Sequence, residues 1–197
     1  MSGTTRDHFI AVAKRQFAQK GFYGTSIAAI ASELGLTKQA LLHHFGNKEK
    51  LYGEVLQALS EQLLRQSGEI IRAEPDPARQ VEALVLLQYN SQMADPDAAR
   101  LIMRELLDNE QRAEKAGSWY LKPYLEGLVD TVLAIDTRAD MGRPRALALV
   151  YQLLGAAHYF AVSQPTLTSI FGDTQFTEAR NCYEQELRLL VRSRLQA

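Results

Sequence analysis

The chain reads as all-α. Apolar residues recur at spacings of three and four in almost every segment, and no sustained period-two run bounded by turns interrupts them. Glycine, proline and short polar side chains fall where such helices would start and stop. The composition, 46% hydrophobic and 23% charged over 197 residues, excludes collagen-like, mucin-like and wholly disordered chains. The length suits one large domain, or a module of about 50–70 residues on a larger body.

The first helix is predicted over Thr5 to Lys20, where Phe9, Ala13 and Phe17 repeat every fourth residue and Ile10 and Val12 widen the stripe. Gly21 should end it in a left-handed cap. Thr25 is expected to cap a second helix over Ser26–Leu34, with Ile27, Ile30, Ala31 and Leu34 on one face. Gly35 closes that helix, and Thr37 caps a third that runs to about Phe45. After Gly46, Asn47 caps a fourth helix bearing Leu51, Val55, Leu56, Leu59 and Leu63, which continues to about Arg72. Glu74-Pro75-Asp76-Pro77 stops it, because neither proline can extend a helix.

Further helices are predicted at about 78–93, 97–108, 118–135, 143–163 and 174–194. The breaks are Asp95-Pro96, Glu114–Ser118, Asp136–Gly142 and Pro165–Asp173. Pro123 marks either the start of its helix or a kink in it. The apolar stretch Ala146–Val162 is shorter than a membrane span and carries Gln152 and His158, so a buried core helix is expected there. The opening residues have no apolar core of the secretory kind, and the single Cys182 cannot form an internal disulfide. Together these predict a soluble protein of the reducing cytoplasm with no membrane association. Free cysteines are usually small buried hydrophobes, and nothing near Cys182 in sequence argues for reactivity.

Charge is unevenly distributed. Residues 1–50 hold seven Lys and Arg against three Asp and Glu, net +4; the rest hold fifteen against twenty, net −5. Three of the four histidines, His8, His43 and His44, also lie in the first fifty. A basic head on an acidic body suits an anionic partner at the N-terminal end, although chance clustering on a solvated face gives the same tally.

Two short helices joined by a glycine-bearing turn, Ile27–Leu34 and Thr37–Phe45, form a helix-turn-helix pattern. Small Ala31 allows close approach, and Leu36 and Leu41 can seal the corner against Ile27, Ile30 and the first helix. Thr37, Lys38, Gln39, Ala40, His43 and His44 are left on the outer side. This set of donors, a cation and a small residue is suited to reading a major groove. The segments Phe17-Ala18-Gln19-Lys20-Gly21-Phe22, Thr25-Ser26-Ile27, Leu34-Gly35, Thr37-Lys38-Gln39-Ala40-Leu41, His43-His44-Phe45 and Asn47-Lys48-Glu49 resemble the DNA-binding domain of the TetR (tetracycline-repressor) family over about residues 5–55.

That resemblance implies an N-terminal three-helix DNA-binding domain, placed here at 1–50. A helical effector-binding and dimerisation domain would follow at 51–197. It implies a homodimer on a palindromic operator in double-stranded DNA, most often a repressor, released by a small-molecule effector. By position, Thr25 would meet phosphate, and Thr37, Lys38, Gln39, Ala40 and His43 would face base edges or adjacent backbone. His44 and Lys48 would clamp phosphate. Leu42 stands where the family commonly has tyrosine, and Gln39 where many members have glycine; a glutamine can pair bidentately with adenine. His43 and His44 are adjacent on one helix, about 100° apart, so they cannot share a metal as an i, i+4 pair can.

In the body, large adaptable side chains such as Tyr89, Met93, Met103 and Phe160 recur at helical spacing, which core packing alone explains. The polar atoms of Trp119, Tyr120, Tyr124, Tyr151 and His158 want partners when buried, so these five are the candidates for an effector pocket. Leu147, Val150, Leu154, Ala157 and Ala161 form one candidate dimer stripe, and Tyr183, Leu187, Leu190 and Val191 a second. No G-x-S-x-G, H-E-x-x-H, Walker A or G-x-G-x-x-G motif and no paired cysteines occur, so neither an enzyme nor a metal or cofactor is expected. Glu105, Asp108 and Glu110 read as a helix end and solvated surface.

Overall fold

The computed structural model describes residues 5–107 and 120–196, with nine α-helices and one 3-10 turn among them. They are α1 (Thr5–Gly24), α2 (Ile27–Glu33), α3 (Lys38–Phe45), α4 (Lys48–Ala73), α5 (Pro77–Ala94), α6 (Pro96–Leu107), α7 (Lys122–Leu133), α8 (Arg143–Val162) and α9 (Gln164–Gln196), the turn spanning Asp136–Met141. Among the described residues there is no strand, and no single helix is long and apolar enough to cross a membrane. The chain divides into two compact units. One holds the residues up to Gln62 with 97–107 and Tyr120, the other Leu63–Pro96 and the residues from Leu121 onward.

The first unit contains α1, α2, α3, the first part of α4, and α6. Gly21, at φ 72, breaks the regular helix of α1 where the sequence places the stop. Phe17, Ile30, Leu41 and Leu51 are fully buried at its centre, and Leu101 of α6 joins the same cluster. The Phe17 ring meets Tyr52 edge-on at 4.8 Å. Two polar contacts fasten α6 to this core. Arg104 Nε donates to the Ala18 carbonyl at 2.9 Å, near the end of the first segment of α1. The Tyr52 hydroxyl donates to Glu105 Oε2 at 2.7 Å. Glu105 is therefore a buried acceptor, not the solvated residue expected; Asp108 and Glu110 lie outside the described residues.

The second unit packs α5 against α7, α8 and α9, and α8 against α7 and α9, around Leu84, Leu153 and Leu187. Phe160 stacks on Tyr183 at 3.8 Å and on Phe176 at 5.7 Å, so this aromatic group serves core packing. Pro123 sits in the first turn of α7, so the helix begins there and does not kink. The expected break over Pro165–Asp173 is mostly helical. Pro165 occupies the opening turn of α9, where its missing N–H is not needed, and only Gly172, at φ 80, interrupts the helix. Cys182 is exposed on α9, contrary to the burial usual for a free cysteine.

Glu82 of α5 accepts from Arg192 at 2.7 Å and from Arg188 at 3.1 Å, and these contacts hold its carboxyl below the ordinary range. Truncating Phe17 removes the side chain on which the first unit closes. Phe17→Ala should cost about 3–5 kcal/mol in urea unfolding; a loss under about 1 kcal/mol would contradict this packing.

Candidate nucleic-acid interface and a buried polar cluster

The corner between α2 and α3 is built from backbone hydrogen bonds and one left-handed glycine. Leu36 N–H donates to the Ala31 carbonyl at 2.8 Å and Gly35 N–H to Ser32 at 3.1 Å, with Gly35 at φ 68. Thr37 Oγ1 then accepts from Ala40 N–H at 3.1 Å and starts α3. Leu41 and Phe45 point into the core, which leaves Lys38, Gln39, His43 and His44 exposed beside Thr37, with Ala40 half-buried. The outward set is the one the sequence predicts. Leu42 packs half-buried against the head core.

Lys48, in the first turn of α4, holds its ammonium 4.5 Å from the centre of the Phe22 ring. Asn47 Oδ1 accepts from Lys50 N–H at 2.8 Å and caps this helix. The His44 ring lies 5.3 Å from that of Phe9 and remains exposed. Among the described residues no group of three or more His, Cys, Asp or Glu is placed to hold a metal ion.

Thr25 requires a correction. It does not cap α2: Ser26 does, accepting from Ala29 N–H at 3.1 Å. Thr25 is buried, and its hydroxyl donates to the carbonyls of Gly21 at 2.8 Å and Gln16 at 3.0 Å. The oxygen expected at a phosphate is thus engaged with α1. Its neighbour in sequence carries the exposed hydroxyl, and both residue types cap helices equally well, so the pattern alone does not separate them.

The described effector candidates differ in unit and in burial. Tyr120 belongs to the first unit, where its carbonyl accepts from the Ser60 hydroxyl and its ring packs against Gly53 of α4. Tyr151 is about half exposed on α8, and Trp119 lies outside the described residues. Tyr124 of α7 and His158 of α8 are buried in the second unit. Sequence reasoning missed two partners of His158, Gln88 and Gln92, which lie one turn apart on the buried face of α5. Their only sequence signal is glutamine at an apolar position of a helical stripe.

The Gln88 and Gln92 amide nitrogens lie 3.2 and 2.9 Å from His158 Nε2. With the carboxamides so oriented, Nε2 accepts and the ring proton sits on Nδ1. Among the described residues, Gln88 Oε1, Gln92 Oε1, Tyr124 Oη and His158 Nδ1 are buried without a partner. Each such atom costs about 1–3 kcal/mol when left unmatched. Burial pushes the His158 pKa down to about 4 and the Tyr124 hydroxyl well above its ordinary value.

Geometrically the head is a helix-turn-helix unit. Its residues 9–55 match the family model described as bacterial regulatory proteins, tetR family. Over those residues the chain carries the DNA-binding domain typical of TetR-family regulators. It is 29% identical over 101 residues to the transcriptional repressor KstR2 of Rhodococcus jostii, covering 51% of this chain and 50% of that protein. It is 25% identical over 160 residues to the transcriptional activator FasR of Mycolicibacterium smegmatis, covering 79% and 71%. The chain spans about half the length of KstR2. The solved structure of the fatty acid degradation regulator FadR from Bacillus halodurans superposes with a TM-score of 0.72 at 16% identity, over 95% of this chain and 96% of that one. That likeness is one of fold.

The low His158 pKa has a measurable consequence. Between its unfolded value of 6.5 and about 4, the unfolded chain takes up a proton that the folded one refuses. The stability this group confers is complete above pH 6.5 and falls with pH, by about 2 kcal/mol at pH 5. Urea unfolding at pH 7.5 and 5.0 should show that loss in the parent and a smaller one in His158→Gln; equal losses would contradict it.

Proposed function

We propose that the protein is a sequence-specific DNA-binding transcriptional regulator, a homodimer that represses from a palindromic operator and is released by a small-molecule effector. The observation that carries this is the exposed polar face of α3, held on a sealed corner whose apolar side is fully used in the core. The net +4 of residues 1–50 and the family match at 9–55 support the same reading.

Within it, Gln39 reads a base edge, and Thr37, Lys38, Ala40 and His43 face bases or adjacent backbone. His44 and Lys48 contact phosphate. Thr25 is withdrawn from the contact set, since its hydroxyl is committed to Gly21 and Gln16. The functional division follows the sequence expectation, with residues 1–50 for DNA and 51–197 for effector and partner. The effector acts by differential affinity for two states of the dimer that hold the recognition helices at different separations.

A second copy of the chain would cover the apolar side chains left outside the second unit. Leu147, Tyr151 and Tyr159 of α8 are exposed at spacings of four and eight around an exposed Gly155, and α9 adds Leu189 and Leu190. Of the stripes expected from sequence, Leu147 and Leu190 are exposed in this way, whereas Val150, Leu154, Ala157 and Ala161 are buried within the subunit, as are Leu187 and Val191. Sedimentation at micromolar concentration should give a dimer, and monomer alone would refute that part.

Repression finds support in the resemblance to KstR2, a repressor, while FasR is an activator. In vitro transcription from the promoter upstream of the gene should fall when the protein is added; a rise would reverse the sign. Fluorescence anisotropy on the same duplex tests the DNA contacts. Gln39→Ala should cost about 1–3 kcal/mol and relax preference at one base position, whereas Lys48→Ala should weaken all sequences alike and lower the salt slope by about one. Uniform weakening by Gln39→Ala would reduce that residue to a positioning role.

A further inference from the structure

The second unit encloses a small polar group in a largely apolar interior. Among its buried polar side chains, Ser67 and Thr131 return their hydroxyls to the carbonyls of Leu63 and Gly127 one turn back, and nothing more is asked of them. Gln88 and Gln92 both place their amide nitrogens at His158 Nε2. Each of the three keeps a buried polar atom unmatched, as does Tyr124 on α7, the helix that packs on both α5 and α8. A cluster kept for structure alone would close on itself, because an unmatched buried group is costly where an apolar side chain of the same size is not.

We propose that Gln88, Gln92, Tyr124 and His158 form the polar end of a ligand site for an uncharged molecule that bears a hydroxyl or carboxamide on an apolar body. This rests on the effector reading above and names the chemistry of its ligand. The unused atoms are complementary to such a group. His158 Nδ1–H donates, the two glutamine oxygens accept, and the tyrosine hydroxyl does either. A carboxamide or hydroxyl both accepts and donates and so can satisfy several of them at once. No Lys, Arg, Asp or Glu is among the described buried side chains of this unit, so a carboxylate or ammonium would arrive without a counter-charge. The neutral imidazole adds none. Leu84, Val85, Val129, Val132, Leu153 and Ala157 supply apolar interior on the same three helices.

The full-length protein can be tested with four probes on one octyl chain: octanamide, 1-octanol, octanoate and octylammonium. The reporter is the His158 ring in a long-range proton–nitrogen spectrum. His8, His43 and His44 are all exposed in the first unit and serve as internal controls. Octanamide or octanol should shift the Nδ1 resonance of His158 and raise the thermal midpoint, and the two charged probes should do neither. The double substitution Gln88→Met and Gln92→Met keeps the volume and removes the oxygens. It also removes both donors to His158 Nε2, so the readout is affinity: the responding probe should weaken about tenfold or more.

A double variant that loses stability yet binds the probe unchanged would make the cluster structural and overturn the proposal. So would a His158 that none of the uncharged probes moves, or that a charged probe moves equally. Release of operator DNA by a charged probe with His158 unmoved would overturn this site and leave the effector reading standing. A His158 shift by octanamide with operator binding unaffected would uphold the site and count against the effector reading.

Discussion

The burial of Leu41 against Ile30 and the aromatic core of the head is the contact on which the rest depends. Without it, α2 and α3 are helices of seven and eight residues, too short to persist in water alone. With it, the left-handed Gly35 and the Leu36 to Ala31 hydrogen bond fix the angle of the corner, and the polar side of α3 faces outward by default. The exposed set from Thr37 to His44 is thus a consequence of core packing. It has no apolar alternative, since every large apolar residue of α3 is already engaged inward.

Helix α6 extends the same logic beyond the first three helices. Arg104 caps carbonyls at the end of a segment of α1, and Glu105 takes the hydroxyl of Tyr52 in the interior. A segment some fifty residues further along the chain therefore completes the head, and the continuous helix α4 leaves the same unit at Gln62. Chain order and physical grouping are different things in this protein.

Much of this was legible in the sequence. Gly21, Gly35 and Gly46 all take positive φ at the stops expected of them, and Thr37 and Asn47 cap as expected. Local signals of this kind, a glycine or a short polar side chain beside a helical stripe, act within one turn and can be read from neighbours. Signals that depend on distant partners could not. Glu105 reads as solvated in the sequence because its partner, Tyr52, lies 53 residues away. Ser26 and Thr25 are equivalent as caps until α1 supplies carbonyls for one of them. The apolar residues of α8 divide between the subunit interior and its outside, and one helical stripe of similar residues gives no hint of where the division falls. Gln88 and Gln92 carry no such signal, because polar residues on a helix ordinarily face water.

The central claim is that a fixed corner presents α3 to a duplex. Selection of bound sequences from a random pool of duplexes by the full-length protein, repeated across a range of salt, tests it most directly. Enrichment of a two-fold symmetric sequence whose recovery falls as salt rises is the expected result. A pool that stays random at every salt concentration would contradict the account.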